Sequence, residues 1–156
     1  MDYLTLKWIH ILSSTVLMGT GLGIAFFMWM AHLSRDARSI AATARVVVIA
    51  DAVFTAPAVG VQFVTGLWLA KLLHLPLDTF WIKTALVLFF VTGACWLPVV
   101  WLQIKARDLA RQAAMAGAPL PPAYWQVMRG WFWLGWPAFS SVIAIFWLMV
   151  HKPLGV

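Results

Sequence analysis

Four ionisable side chains stand out in a chain that is otherwise largely apolar. His10 and Lys83 each lie one or two turns inside an apolar segment, whereas His74 and His151 each follow one. A neutral imidazole can ligate a metal, and burying a histidine or lysine in lipid is costly unless a partner or cofactor compensates. His10 and Lys83 therefore need a partner or a cofactor, and they are the leading site candidates. His74 and His151 belong to the same outer half as these two residues.

Each of these residues also has an ordinary interpretation. On that interpretation, Lys83 extends its ammonium group to the outer headgroups, and His10 hydrogen-bonds a neighbouring backbone carbonyl. His74 and His151 are then interfacial residues. The remaining histidine, His32, lies at the inner end of the first apolar segment, where an interfacial role is expected, and it is not assigned to the site.

Two polar stripes run along the first two apolar segments. The first stripe has helical intervals of three, four and seven residues, and the second has similar intervals. The first consists of Lys7, His10, Ser14 and Gly21, and the second of Asp51, Thr55, Ala58, Gln62 and Thr65. Because polar side chains in a membrane helix face the interior of the bundle, we predict that both stripes point inward.

Asp51 lies at the inner end of the second stripe and has two interpretations. In one, it forms an ion pair at the membrane surface with Arg45 or with another arginine of an inner connection. In the other, it is a catalytic residue that takes part in proton delivery.

The segment Gly19-Thr-Gly21-Leu-Gly23 lies within an apolar stretch and follows no strand, so it is not a dinucleotide-binding motif. Its small residues allow close helix packing, or they leave space for a flat ligand such as a porphyrin.

The composition requires a membrane environment. Of the 156 residues, 63% are hydrophobic and only 10% are charged. Four apolar segments, at residues 4-30, 46-73, 80-104 and 131-150, each reach the roughly 20 residues that a transmembrane helix needs. We predict an all-α membrane protein, a four-transmembrane-helix bundle that forms one domain over residues 1-156. Pro57, Pro98 and Pro137 lie inside the spans, where we expect local kinks.

The distribution of basic residues predicts the orientation. Seven of the 11 lie in the two longer connections: Arg35, Arg38, Arg45, Lys105, Arg107, Arg111 and Arg129. The positive-inside rule places these connections in the cytoplasm and both termini on the outer side. The net charge of +6 is explained in this way, so we expect no nucleic-acid partner. The single cysteine, Cys95, excludes a disulfide framework or a thiolate metal site.

Two short motifs resemble those of the HemJ-type protoporphyrinogen oxidases, which are small four-helix bacterial haem proteins. They are Leu6-Lys7-Trp8-Ile9-His10, which opens the first span, and Trp81-Ile82-Lys83-Thr84, which opens the third. The resemblance implies b-type haem at His10 and a role in activity for Lys83.

Over the whole chain, the sequence resembles an uncharacterised family of predicted bacterial integral membrane proteins. This resemblance includes Asp51-Ala-Val-Phe54-Thr-Ala-Pro57 and Thr65-Gly66-Leu-Trp68-Leu. The family is remotely similar to the HemJ-type proteins and to the CopD-type membrane domain. The resemblance implies a multi-pass protein of the bacterial cytoplasmic (inner) membrane.

The leading hypothesis is a haem b (iron-protoporphyrin IX) membrane protein with a redox role. His10 is one axial ligand, and His74, His151 or Lys83 is the other, with Ser14 and Gly21 as further cofactor-binding residues. Electrons would be exchanged with a quinone- or porphyrin-like substrate. The alternative is a non-catalytic membrane subunit or a CopD-like transport-related bundle whose polar stripes serve packing or ion passage. The sequence leaves the oligomeric state open, a homo-oligomer included.

Overall fold

Each apolar segment lies within a long helix in the computed structural model, which describes residues 2-153. The elements are α1 (Tyr3–Ser34), α2 (Ala37–Ala50), a π-helical turn (Asp51–Thr55), α3 (Ala56–Leu72), α4 (Phe80–Ala116) and α5 (Pro122–His151). Because α2, the π-turn and α3 are continuous, four helices are long and apolar enough to cross a membrane. No strand is present in residues 2-153. The predicted all-α class with four membrane-spanning helices is confirmed.

The helices extend beyond the predicted spans at the end that carries the two basic connections, which we call the inner end. Only two residues separate α1 from α2, and only residues 117-121 separate α4 from α5. Each of the two longer connections thus begins as a continuation of the preceding helix. Asp36 caps α2 by accepting a 2.8 Å hydrogen bond from the Ser39 N–H. Its hydrogen bonds with Ser39 also lower the pKa of the Asp36 carboxyl.

The π-turn has a local cause in Pro57. Proline has no N–H to donate to the carbonyl four residues earlier, which here is that of Val53. The backbone widens just before the proline, and the Ala56 N–H donates to the carbonyl of Asp51, five residues earlier. The local irregularity expected at Pro57 therefore takes the form of a π-turn. The turn begins at Asp51, which is the only acidic residue of the second span.

Packing differs between the two ends of the bundle. The largest buried cluster lies at the inner end, where small alanines let α2 and α5 approach α4 closely. Its members are Ile24, Met28, Ala31, Ile40, Ala44, Val47, Ala106, Ala110, Tyr124, Val127, Met128 and Trp131. Toward the other end, α3 packs on α1 and α4 packs on α5. The rings of Phe63 and Phe89 connect α3 with α4, with their centroids 5.5 Å apart.

The orientation can be measured with reporter fusions. Reporters at either terminus are expected on the outer side, and a reporter inserted at Gly117 is expected in the cytoplasm, because the inner end carries seven of the 11 basic residues. Gly117 is exposed at the turn after α4, so insertion there leaves the packed core intact. Finding the Gly117 reporter outside would reverse the orientation.

Candidate functional site

The first polar group, here called the outer polar cluster, joins α1 to α3 and consists of His10, Ser13, Gln62 and Thr65. His10 Nδ1 lies 2.8 Å from the Thr65 hydroxyl oxygen, and His10 Nε2 lies 3.1 Å from the Gln62 amide nitrogen. The Ser13 hydroxyl donates to the Gln62 side-chain oxygen. Both ring nitrogens of His10 are thus engaged by side chains of α3 and not by a backbone carbonyl.

One set of proton positions satisfies this cluster. The Thr65 hydroxyl donates to the Val61 carbonyl at 2.6 Å, so its oxygen is free to accept from the His10 Nδ1–H. His10 Nε2 then carries the lone pair and accepts from the Gln62 amide. In this arrangement both ring nitrogens of His10 and the hydroxyls of Ser13 and Thr65 have partners, which keeps these polar groups compatible with the interior of a membrane protein. The cluster therefore holds α1 against α3 and fixes the imidazole ring.

Gly66 makes room for the His10 ring. A Cβ atom added at Gly66 would lie 3.2 Å from His10 Cε1, whereas one added at Gly60, on the same helix, would meet nothing within 4 Å. The close contact at Gly66 explains why a residue without a side chain stands beside Thr65 in this helix.

We expect Gly66→Ala to displace the imidazole and weaken its hydrogen bonds, by roughly 1 kcal/mol for each bond lost. Thermal unfolding in detergent should therefore occur at a lower temperature in Gly66→Ala than in the matched variant Gly60→Ala. Equal transition temperatures would mean that the His10 ring adapts without a loss of stability.

The second group, here called the inner polar cluster, consists of Asp51, Thr55, Trp96 and Gln103. Asp51 begins the π-turn and is only 4% exposed. Its Oδ1 accepts a 3.2 Å hydrogen bond from Trp96 Nε1, and the side chains of Thr55 and Gln103 lie beside the same carboxyl group. Trp96 and Gln103 are seven residues apart on α4, so both reach one face of that helix.

Several polar atoms of the inner polar cluster have no hydrogen-bond partner. They are Asp51 Oδ2, the Thr55 hydroxyl and Gln103 Oε1. Thr55 is 7% exposed and Gln103 is 1% exposed, so solvent does not replace the missing partners. A buried polar atom without a partner costs free energy, and such atoms call for a ligand, a proton or an ordered water.

The ion-pair interpretation of Asp51 is wrong. Within residues 2-153 the ion pair is the one between Arg107 and Asp108, at 2.8 Å, and Asp51 takes part in none. Arg45 is exposed six residues before Asp51, a spacing that turns its side chain to another face of the helix. The carboxyl group thus lies among neutral side chains.

The second polar stripe points inward as predicted. Asp51, Thr55, Ala58 and Thr65 are buried and Gln62 is half-buried. The first stripe points inward at His10, which contacts α3, and Gly21 is half-buried, but the prediction fails at Ser14 and Lys7. Ser13 faces α3, whereas the half-buried Ser14 donates its hydroxyl to the Ile11 carbonyl at 2.7 Å within its own helix, and Lys7 is exposed.

The other sequence-predicted site residues lie at the surface of the end that carries the termini. His74 is exposed in a left-handed backbone conformation (φ 53°) after α3, and Lys83 is exposed near the start of α4. His151 stacks on Trp147 with 4.5 Å between ring centroids. In the described part of the chain, no three histidine, cysteine or acidic side chains come together as a metal site. The structure thus brings none of these three residues into the outer polar cluster.

Gly21 is half-buried, and neither it nor Gly19 has an atom within 4 Å of the position that a Cβ would take. Close helix packing therefore does not explain these two glycines, and space remains beside them.

A family model described as "predicted integral membrane protein (DUF2269)" matches residues 4–153. The chain belongs to this family. No curated protein and no solved structure matches it. The family description assigns membrane integration and no chemistry. The matched range of this DUF2269 protein includes both polar clusters in full.

One further polar contact in this DUF2269 protein does not follow from the sequence. His32, which the sequence indicates as an interfacial residue, has its Nδ1 3.1 Å from the hydroxyl of Tyr124, and Tyr124 is fully buried in the inner core. The ring of Trp125 packs edge-on against His32 at 5.3 Å. This contact ties the inner end of α1 to the start of α5. The only signal for it in the sequence is the single tyrosine near the start of the last helix.

Proposed function

We propose that this protein passes protons across the membrane and that Asp51 is the residue that binds and releases them. The observation that carries the proposal is the buried Asp51 carboxyl, which has no cationic partner and one oxygen without a hydrogen bond. A charged carboxylate in such surroundings is costly, so proton uptake neutralises it at small structural cost. Ionisable residues inside membrane bundles characteristically mark ion paths and proton relays. Proton passage is a transport-related role, the alternative to haem-based redox chemistry.

The polar stripe from Asp51 to Thr65 marks a path for the proton between the two polar clusters. Asp51 and Thr55 belong to the inner polar cluster, and Gln62 and Thr65 belong to the outer polar cluster with His10. Ala58 lies between them and offers no polar group, so the stripe is interrupted. A proton therefore crosses this interval only when the bundle rearranges or admits water. The π-turn and Pro57 lie directly beside it, and such irregular turns are frequent at functional sites. We thus expect slow, gated passage instead of the rate of an open pore.

Purified protein in liposomes tests this proposal. The liposomes contain a pH-sensitive dye, and a potassium gradient with valinomycin drives proton entry. We expect acidification several-fold faster than in protein-free liposomes. In the cell, we expect the protein to lie in the bacterial inner membrane in the orientation inferred from the sequence. Acidification at the rate of protein-free liposomes would refute proton passage.

Haem b binding is the second candidate, and a different observation favours it. Three half-buried glycines on three helices, Gly21, Gly93 and Gly135, have nothing within 4 Å of the position a Cβ would take. A flat ligand between helices needs positions without side chains such as these. The motif resemblance to HemJ-type proteins points the same way, with His10 as the axial ligand. When bound, haem would supply one-electron chemistry toward a quinone- or porphyrin-like partner.

The residues meet only part of what a haem ligand requires. The hydrogen bond from His10 Nδ1 to Thr65 orients the ring and leaves the Nε2 lone pair available in the manner of metal-binding histidines. However, the Gln62 amide occupies the position in front of Nε2, so ligation requires this side chain to turn away. His74, Lys83 and His151 lie exposed, so a second protein ligand would also have to move.

Absorption spectra decide the haem candidate. Protein produced with ample haem supply should show a Soret band that His10→Ala abolishes or shifts. Lys83→Arg should alter the band if the lysine is a ligand, because a guanidinium stays protonated and cannot coordinate iron. A colourless wild-type protein would exclude haem b.

A further inference from the structure

We propose that the inner polar cluster binds a dehydrated monovalent metal cation, with Na⁺ as the representative ion, through Asp51 Oδ2, the Thr55 hydroxyl and Gln103 Oε1. This inference deepens the proposed function, because it names a second ion for the residue that exchanges the proton. The observation that supports it is that these three buried oxygen atoms have no hydrogen-bond partner.

The unpartnered atoms are chemically alike. All three are oxygen atoms that can accept, and they belong to a carboxylate, a hydroxyl and an amide. Hard cations are bound by this combination of oxygen ligands. A proton on Asp51 donates to one of the two neighbouring oxygens, and the Thr55 hydroxyl can itself donate to the carboxyl group. Only a cation can be contacted by all three oxygens at once. The remaining carboxylate oxygen, Oδ1, stays bonded to Trp96 Nε1 and is held in place.

The charge of the cluster selects a monovalent ion. Asp51 supplies one negative charge, and Thr55, Trp96 and Gln103 are neutral. A monovalent cation makes the site neutral, while a divalent cation would leave a net positive charge in the bundle interior. Divalent sites in proteins usually gather several carboxylates, and no group of three acidic, histidine or cysteine side chains occurs among residues 2-153.

The positions of the three residues keep the site small and dry. Thr55 follows Asp51 by four residues on the π-turn, and Gln103 reaches them from α4. All three residues are at least nine-tenths buried. An ion at this point must therefore shed most of its water, and the protein oxygens replace that water.

Carbodiimide labelling tests the cation site and the proton site separately. These reagents attack a protonated carboxyl group in apolar surroundings, and mass spectrometry identifies the labelled residue. The full-length protein in detergent, in choline chloride at fixed pH, should be labelled at Asp51. Adding NaCl should slow that labelling several-fold and in a saturable manner, because a bound Na⁺ displaces the proton. Neither choline chloride at the same ionic strength nor MgCl₂ should slow the labelling of Asp51.

Variants locate the ligands. In Thr55→Val and in Gln103→Leu the protection by Na⁺ is expected to weaken several-fold. The matched controls Thr92→Val and Gln112→Leu, on α4, should keep the wild-type protection. The Thr92 hydroxyl donates to the Leu88 carbonyl, and Gln112 is exposed.

The outcomes separate the two proposals. Labelling of Asp51 without protection by Na⁺ would overturn the cation site and leave the proton site standing. If Asp51 is not labelled at all, the proton-binding proposal fails. Titration calorimetry of NaCl into the wild type and Thr55→Val then decides the cation site, and the absence of a saturable heat in the wild type would overturn it.

Discussion

Asp51→Asn is expected to reduce proton entry into liposomes to the rate of protein-free liposomes. Asparagine has nearly the same shape and keeps an oxygen for Trp96 Nε1, but it cannot bind or release a proton. The loss should be at least about tenfold, which corresponds to about 1.4 kcal/mol in activation free energy. Asp51→Glu retains a carboxyl group and should retain part of the flux. The measurement is dye acidification at equal amounts of reconstituted protein.

The control for Asp51→Asn is the same substitution at an exposed position. Asp78→Asn lies in the turn between α3 and α4, and Asp78 is exposed. It should conduct like the wild type. Equal flux in Asp51→Asn and in the wild type would remove Asp51 from the proton path, whatever the absolute rate.

Ala106→Leu is expected to have the largest effect on stability. Ala106 is fully buried in the inner core, where α4 packs against α2 and α5. Three additional carbon atoms do not fit between helices that approach at this distance, and overpacking of this kind costs about 1–3 kcal/mol or separates the helices. Size-exclusion chromatography and thermal unfolding in detergent should show a lower transition temperature, or a loss of the monodisperse peak.

The matched control for the core prediction is Ala94→Leu. Ala94 lies on the same helix but is exposed, so its side chain faces lipid in the membrane. Leucine is accommodated well in lipid, and we expect wild-type behaviour. If both variants unfold like the wild type, the inner core is looser than the structure indicates.

The fold could be predicted from the sequence because lipid imposes a simple rule. An apolar segment of sufficient length must form a helix in a bilayer, since every backbone group needs an internal partner. The helix ends could not be predicted in this way. The inner ends of α1 and α4 carry polar and basic residues, such as those of residues 105-116, that resemble a connection although they are helical. Hydropathy does not predict the π-turn either, and Pro57 is the one residue in the sequence that indicates it.

The candidate site was predictable along each helix but not between helices. Helical spacing correctly placed the stripe from Asp51 to Thr65 on an inward face. Which residues of α4 meet Asp51 depends on the register between two packed helices, so Trp96 and Gln103 were missed. The choice between Ser13 and Ser14 depends on the rotation of α1, which a sparse stripe does not define. His10, His74, Lys83 and His151 all lie toward the end of the bundle that carries the termini, but a shared end does not imply mutual contact.

Infrared spectroscopy of the reconstituted protein tests proton binding at Asp51 most directly, because a protonated carboxyl group has its own carbonyl stretching band. As the pH is lowered in the absence of Na⁺, a band from a carboxyl group in apolar surroundings should appear in the wild type and in Asp78→Asn. It should be absent from Asp51→Asn. A wild-type spectrum that matches that of Asp51→Asn at every pH at which the protein stays folded would contradict proton binding at Asp51.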